Sequence, residues 1–347
     1  MGESVTIYDN FSRRGVNRNF SWLRHRYGDR VHLVVADIRD LASLSEVVKK
    51  TTVIYHLAAQ VAVTSSLENP IQDFEINVRG TLNLLESIRR LRKPPVLVFT
   101  STNKVYGELS DILLNSHSSR FVPQNASIRQ RGIAVRQLAF HSPYGCSKGA
   151  ADQYTRDYYR IYGLPTVVFR QSAIYGYRQF GVEDQGWLAW FIIAAVLGKP
   201  ITIYGDGKQV RDMLFIDDLL DAYDAATARI DRVAGQVYNI GGGARNTISV
   251  WTEFAPMLEK LLGRKLPVQY GDWRPGDQRV IEMHAAQLPK ELHTVPIHPC
   301  DCFAGWPMLC FGVAIYRIQV RISLQYVGVV AIHEGGDESI GKAAAKG

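Results

Sequence analysis

Val5-Thr-Ile-Tyr-Asp9, Val31-His-Leu-Val-Val-Ala-Asp37 and Val53-Ile-Tyr-His-Leu-Ala-Ala59 share one design: an apolar run of strand length ending on an acid or on small residues. Val96-Leu-Val-Phe-Thr100 and Thr166-Val-Val-Phe-Arg170 repeat it. Helical spacing fills the intervals. Residues 44–50 form one candidate helix, and residues 147–162 another. Residues 74–92 place Phe74, Val78, Leu82, Leu85 and Ile88 three or four apart until Pro94-Pro95 stops the pattern. Strands apolar nearly throughout, alternating with helices, must be covered on both faces, which predicts a parallel sheet in an α/β protein. The expected fold is a doubly wound, Rossmann-like sheet over residues 1–175.

Beyond residue 175 the pattern loosens into Gly-containing loops, short strands at 201–204 and 237–240, and helices near 187–197, 217–228 and 249–262. This predicts a smaller α+β substrate lobe over residues 176–284. Residues 285–347 do not continue either logic. They hold Cys300, Cys302 and Cys310, an apolar run at 303–316 broken by Pro307, and a Gly/Ala/Lys end. They read as an atypical tail, frame-shifted or poorly ordered.

With 46% hydrophobic and 21% charged residues in 347, disordered, collagen-like and coiled-coil classes are excluded. The net charge of +7 suits an anionic partner. Its lysines and arginines are scattered and no nucleic-acid motif accompanies them, so a diphosphate pocket is expected rather than nucleic acid. Four cysteines in a chain this long make no disulfide framework, which points to a reducing cytoplasm. The start lacks a basic segment followed by an apolar one. No apolar run reaches the roughly 18 residues of a membrane span. His293, His298, Cys300 and Cys302 match no closed zinc spacing, and no metal is expected.

Tyr144-Gly-Cys-Ser-Lys148, with Thr102 upstream at a strand end, carries the chemistry. Tyr and Lys four apart share one face of a helix. A phenol titrates at about 10, too high for a base at neutral pH, and a neighbouring ammonium lowers it. Such a pair can take the proton of a substrate hydroxyl as hydride leaves the same carbon, with Thr102 holding the oxygen. Standing alone, Tyr-x-x-x-Lys is commonly an accident of helical spacing. Asp9, however, ends the strand where a dinucleotide fold places the acid that binds the ribose hydroxyls, which favours NAD over NADP, although Arg13 and Arg14 nearby suit a phosphate. Asp37 is a candidate for the adenine edge or a plain turn former. Leu57-Ala-Ala-Gln60 allows a cofactor close to the backbone. In the second lobe, Tyr204-Gly-Asp-Gly-Lys-Gln-Val-Arg211 and Trp273-Arg-Pro-Gly-Asp277 set arginines in loops, where their forked guanidinium fits diphosphate oxygens or faces solvent.

Taken together, Tyr8-Asp-Asn-Phe-Ser-Arg-Arg-Gly15, His56-Leu-Ala-Ala-Gln-Val-Ala-Val63, Ser101-Thr-Asn-Lys-Val-Tyr-Gly107 and His141-Ser-Pro-Tyr-Gly-Cys-Ser-Lys-Gly149 resemble the extended short-chain dehydrogenases that act on nucleotide sugars. Ser101-Thr-Asn-Lys-Val-Tyr-Gly107, Gln179-Phe-Gly-Val-Glu-Asp-Gln-Gly-Trp187 and Gly271-Asp-Trp-Arg-Pro-Gly-Asp-Gln278 are similar to the CDP-paratose 2-epimerase subgroup, and the likeness runs over about 3–282. The resemblance implies Thr102, Tyr144 and Lys148 as the catalytic group. It implies NAD held by Asp9, Asn10, Arg13, Asp37, Ile38, Leu57, Ala58, Ala59, Gln60, Asn77 and Ser172. For the nucleotide sugar it implies Asn103, Gln179, Tyr204, Arg211, Arg274 and Asp277. It further implies oxidation to a transient 2-keto sugar, and a homodimer or higher homo-oligomer.

Four departures accompany the likeness. The family opens with a strand, a Gly-rich turn and a helix ahead of the strand that here is Val5–Asp9, so the pyrophosphate cradle is expected to be missing and the sheet to have a gap. Tyr177 and Val182 stand where the subgroup has Pro and Asn. Residues 113–140 match loosely, with Ala139 at an acidic position. Residues 285–347 resemble nothing in the family. Asn103 and Lys104 stand where a dehydratase of this superfamily carries an acidic pair. Three outcomes remain open at this stage: an active C2 epimerase, another nucleotide-sugar epimerase, dehydratase or decarboxylase of the same superfamily, or an inactive remnant or binding protein.

Overall fold

The computed structural model describes residues 4–274, 276–283 and 329–333. Five strands follow the apolar runs: β1 (Ser4–Asp9), β2 (Val31–Val35), β3 (Val53–His56), β4 (Val96–Thr102) and β5 (Thr166–Gln171). Later come β6 (Val210–Phe215), β7 (Val237–Ile240) and β8 (Val329–His333). Seven of the eight form one sheet in the order β7-β5-β4-β3-β8-β1-β2. β1 pairs parallel with β2, and β3, β4, β5 and β7 pair parallel in turn.

The centre of this sheet departs from expectation. No gap separates β1 from β3, because β8 lies between them, antiparallel to both. Ser4 faces His333 and Tyr8 faces Val329 on one side; His56 faces Val329 and Val53 faces Ile332 on the other. Two buried strand edges with unpaired N–H and C=O groups would be costly, and one extended segment satisfies both. That segment comes from the stretch expected to be an unrelated tail. The remainder of the tail, with its apolar run at 303–316 and with His293, His298, Cys300 and Cys302, lies outside the described residues.

Alternation along the strands divides the core between two faces. Ile7, Tyr55, Val98 and Phe169 join one cluster, while Tyr8, Ile54 and Leu97 join the other. Helix α1 (Val16–Tyr27) buries Leu23 in the first cluster. Helix α2 (Leu41–Val48), capped by the Asp40 carboxylate on the amides of Ala42 and Ser43, buries Leu44 and Val48 in the second. Helix α3 (Gly80–Arg89) adds Leu84, Leu85 and Ile88 to it. The single helix expected at 74–92 begins instead at Pro70 and carries a π-helical turn at Glu75–Arg79, which buries Asn77. Helix α4 (Ser142–Tyr162) starts five residues before the expected 147 and packs on β4 and β5.

The first cluster also takes Leu219, Leu220 and Tyr223 of α5 (Ile216–Thr227), together with Tyr238 and Ile240 of β7. Residues 216–240 thus return to the main sheet, and a single boundary at 175 does not divide the chain. The second lobe is built from β6, its neighbours Thr247–Ser249, Val280–Ile281 and Ala173–Tyr175, and the pair Ile201–Tyr204 with Val268–Gly271. Helices Trp187–Val196 and Phe254–Leu262 cover it, packing Leu188, Phe191, Phe254 and Leu258 on Ile201, Ile203 and Met213. The second of these helices starts later than the expected 249 because Thr247–Ser249 is a strand.

Candidate active site

At the C-terminal ends of β4 and β5, roofed by the second lobe, lies a cavity of about 450 Å³. Thr102 ends β4 and caps the short 3-10 turn Asn103–Tyr106, its hydroxyl accepting from Lys104 N at 3.3 Å. Tyr144 sits in the first turn of α4, where Pro143 pre-sets the helical backbone; its amide donates to Ser66 Oγ at 3.2 Å. Thr102, Tyr144 and Lys148 all line the cavity, one helical turn separating the last two.

The electrostatics of this trio differ from expectation in one respect. Burial pushes the Tyr144 phenol up to about 12, against the opposing pull of a hydrogen bond with Thr102 and the charge of Arg13. Lys148 does not bond to the phenol. Its amine donates to Thr100 O at 2.6 Å and lies 4.4 Å from the centre of the Phe99 ring, and burial lowers its pKa to about 8. Desolvation of the phenolate outweighs both of these, so the phenol holds its proton at neutral pH.

Behind α4 lies a layer that the sequence reading only half saw. Asn77 donates to Gln60 O at 3.0 Å and to Ser147 Oγ at 2.9 Å, and accepts from Gln60 N at 2.9 Å. It therefore ties the small-residue loop after β3 to α4. Asp73, buried beside it, was not anticipated. Neither was the fully buried pair of Asp152 with Arg170 at 2.8 Å, to which Ser101 adds a hydrogen bond; it clamps α4 onto β4 and β5. A signal existed, since Asp152 follows Lys148 by four residues and so shares its helical face.

The structure brings all six residues read as substrate-binding into the same cavity: Asn103, Gln179, Tyr204, Arg211, Arg274 and Asp277. Arg211 pairs with Asp277 at 2.8 Å. The Arg274 guanidinium stacks 3.8 Å from the Tyr204 ring centre and pairs with Asp184 at 3.3 Å, while Tyr204 donates to Glu183 at 3.0 Å. Gln179 donates to Ile174 O at 3.2 Å and keeps its buried Oε1 without a partner among the described residues.

The residues read as cofactor-binding divide. Leu57, Ala59 and Ser172 line the cavity, Ser172 donating to Asp212. Asp9, Asn10 and Asp37 gather at the ends of β1 and β2. There Asn10 donates to Asp37 at 2.9 Å, and Arg39 holds the Asp37 carboxyl well below the ordinary carboxylate range. The Ile38 side chain lies in the core, packed so close beneath Gly80 that a Cβ there would sit 2.6 Å from it, and Ala58, half-buried, packs against the same cluster. Of the departures, Tyr177 donates to Asp217 at 2.7 Å, Val182 and Gln185 exchange backbone bonds, and Ala139 N donates to Val105 O. No cluster of three or more metal-ligating side chains occurs among the described residues.

Residues 4–241 match the model of the NAD dependent epimerase/dehydratase family. The chain belongs to that family. It is 42% identical over 287 residues to the CDP-paratose 2-epimerase of Salmonella typhi, covering 80% of this chain and 83% of that protein. Among solved structures it is similar to a UDP-glucuronic acid 4-epimerase from Bacillus cereus in complex with UDP-glucuronic acid and NAD. That likeness has a TM-score of 0.68 at 25% identity and covers 89% of this chain and 88% of that one. A dTDP-glucose 4,6-dehydratase from Streptomyces venezuelae with NAD bound gives a TM-score of 0.69 at 26% identity, over 86% and 83%.

Family membership makes this chain an NAD-dependent nucleotide-sugar enzyme. Its residues fit the cofactor at both ends. The buried Lys148 amine and the Tyr144–Thr102 hydroxyls suit a ribosyl nicotinamide, and the Asp9 carboxylate at the tip of β1 suits ribose hydroxyls. Between these ends, the described residues hold no Gly-rich turn at a helix N-terminus; β8 stands beside β1 there. No described helix is long and apolar enough to cross a membrane.

Proposed function

We propose that this enzyme inverts C2 of a CDP-linked dideoxyhexose, interconverting CDP-paratose and CDP-tyvelose through a 2-keto sugar. The observation that carries the reading is the gathering of Thr102, Tyr144 and Lys148 in one cavity with Asn103, Gln179, Tyr204, Arg211, Arg274 and Asp277, in a chain 42% identical to a CDP-paratose 2-epimerase. A C2 proton of such a sugar has no neighbouring carbonyl to acidify it, so direct deprotonation is closed and oxidation is the open route. NAD, when bound, accepts the hydride, returns it, and in its oxidised form adds a positive charge near the phenol. Thr102 holds the C2 hydroxyl, and Tyr144 takes its proton as the carbonyl forms. The Lys148 ammonium, held by the Thr100 carbonyl one helical turn from Tyr144, stabilises the phenolate. Inversion requires the keto sugar to present its other face before reduction, and the Arg211–Asp277 and Arg274–Tyr204 pairs would hold the nucleotide while the sugar turns. Asn103 and Lys104 offer no acid for dehydration, which separates this site from the dehydratases.

The direct test is to denature purified protein and quantify released NAD, then supply CDP-paratose and follow CDP-tyvelose. Release of NAD and conversion are expected. Folded protein that lacks both would return the chain to a binding role.

A further inference from the structure

Lys104 has no part in the chemistry described so far, yet it lines the cavity two residues from Thr102. Its amine crosses to the second lobe and donates to Gly276 O at 3.0 Å, 3.8 Å from Asp277 Oδ1. Gly276 offers that carbonyl from a left-handed turn, φ +70°, where any Cβ would come within 2.6 Å of the His141 ring. Asp277 is already bonded to Arg211 at 2.8 Å. Lys104 and Arg211 therefore share one carboxylate on a partly buried wall. Glu108, the next acid that bears on Lys104, is half-exposed and faces His141. Burial lowers the Lys104 pKa to about 8, with Arg211 adding to that effect and Asp277 opposing it. Two cations that share one carboxylate on a partly buried wall are stabilised when a further anion completes the set. An ammonium beside a guanidinium is a setting suited to phosphate oxygens.

We propose that Lys104 binds the phosphate attached to the sugar, as a partner of Arg211. Thr102 and Lys104 line the same cavity two residues apart, and in a nucleoside-diphosphate sugar the phosphate nearer the reacting ring is the one bonded to it. The inference rests on the nucleotide-sugar reading of the site. It gives Lys104 a positioning role rather than a catalytic one.

Calorimetric titration of the purified enzyme with CDP and with cytidine, in the native protein and in Lys104→Met and Lys104→Arg, tests it. Lys104→Met should weaken CDP at least tenfold and leave cytidine unchanged, while Lys104→Arg should recover most of the CDP affinity. In turnover of CDP-paratose, the Met variant should raise KM several-fold. Equal loss of CDP and cytidine binding would mark Lys104 as merely structural, and unchanged CDP binding would remove it from the phosphate site; either result overturns the proposal. Native enzyme that shows the charge-dependent CDP binding but converts no CDP-paratose would refute the epimerase reading alone.

Discussion

The catalytic corner and the centre of the main sheet are assembled by opposite means. Thr102, Tyr144 and Lys148 are drawn together by neighbours in sequence: a strand, a loop and one helix within 47 positions, locked by Asn77 and by the buried Asp152–Arg170 pair. The sheet centre is closed by β8, from residues 329–333, which runs against the six parallel strands around it. The corner needs particular side chains at particular places. The sheet centre needs only an extended backbone of the right length, because what β1 and β3 present to it is a row of peptide groups. Chemistry in this fold is specified locally, whereas continuity of the sheet can be supplied from far along the chain.

The comparison can be broken at either place. Tyr144→Phe removes the acid–base group alone, and turnover should fall by roughly 10²–10⁴-fold with the denaturation midpoint and NAD content unmoved. Undiminished turnover would dissolve the catalytic corner. Ala331→Pro strikes the sheet instead, deleting an N–H from a strand paired on both sides. A loss of about 2–3 kcal/mol in chemical denaturation is expected, with the activity of the remaining folded fraction little changed; unaltered stability would place β8 outside the sheet.

Two pH measurements sharpen the contrast. Lys148, lowered to about 8 by burial, is a cation below that pH and neutral above it. Turnover should therefore decline as pH rises beyond about 8, approaching tenfold per unit, and a rate that climbs steadily to pH 9.5 would exclude a role for the ammonium. The smallest effect concerns the second lobe. Asp212 and Glu282 are both buried and both pushed up to about 7, by desolvation first. The folded protein keeps protons there that the unfolded chain has released from about pH 4 upward, so these groups favour folding on the acid side and lose that contribution as pH rises through 7. The denaturation midpoint should rise between pH 7.5 and 6. Asp212→Asn should flatten that slope, and an unchanged slope would assign it to other groups.

The legible parts of the fold were those with a short period. β1 to β5 and the Tyr144–Lys148 spacing were read within a few residues because strand alternation and helical spacing are local properties. Arg211 and Arg274 were found through residue type and the family likeness, although Arg211, expected in a loop, lies on β6. β8 was not legible, since its partners Tyr8 and His56 lie hundreds of positions away and no periodicity marks which extended segment will fill a slot. The packing of the Ile38 side chain beneath Gly80 was not legible either: just past a strand end, one residue of register decides between cavity and core. The Lys148–Thr100 bond, the Asp152–Arg170 clamp and the reach of Lys104 to Gly276 are tertiary contacts that require coordinates.

The most direct test of the central claim follows the atom that moves. CDP-paratose carrying deuterium at C2, incubated with the enzyme in ordinary water, should yield CDP-tyvelose with the label still at C2, because the proposed route removes one hydride and returns it without exchange with water. Loss of the label to solvent during inversion would mean that C2 is deprotonated rather than oxidised, and would contradict hydride transfer at this site.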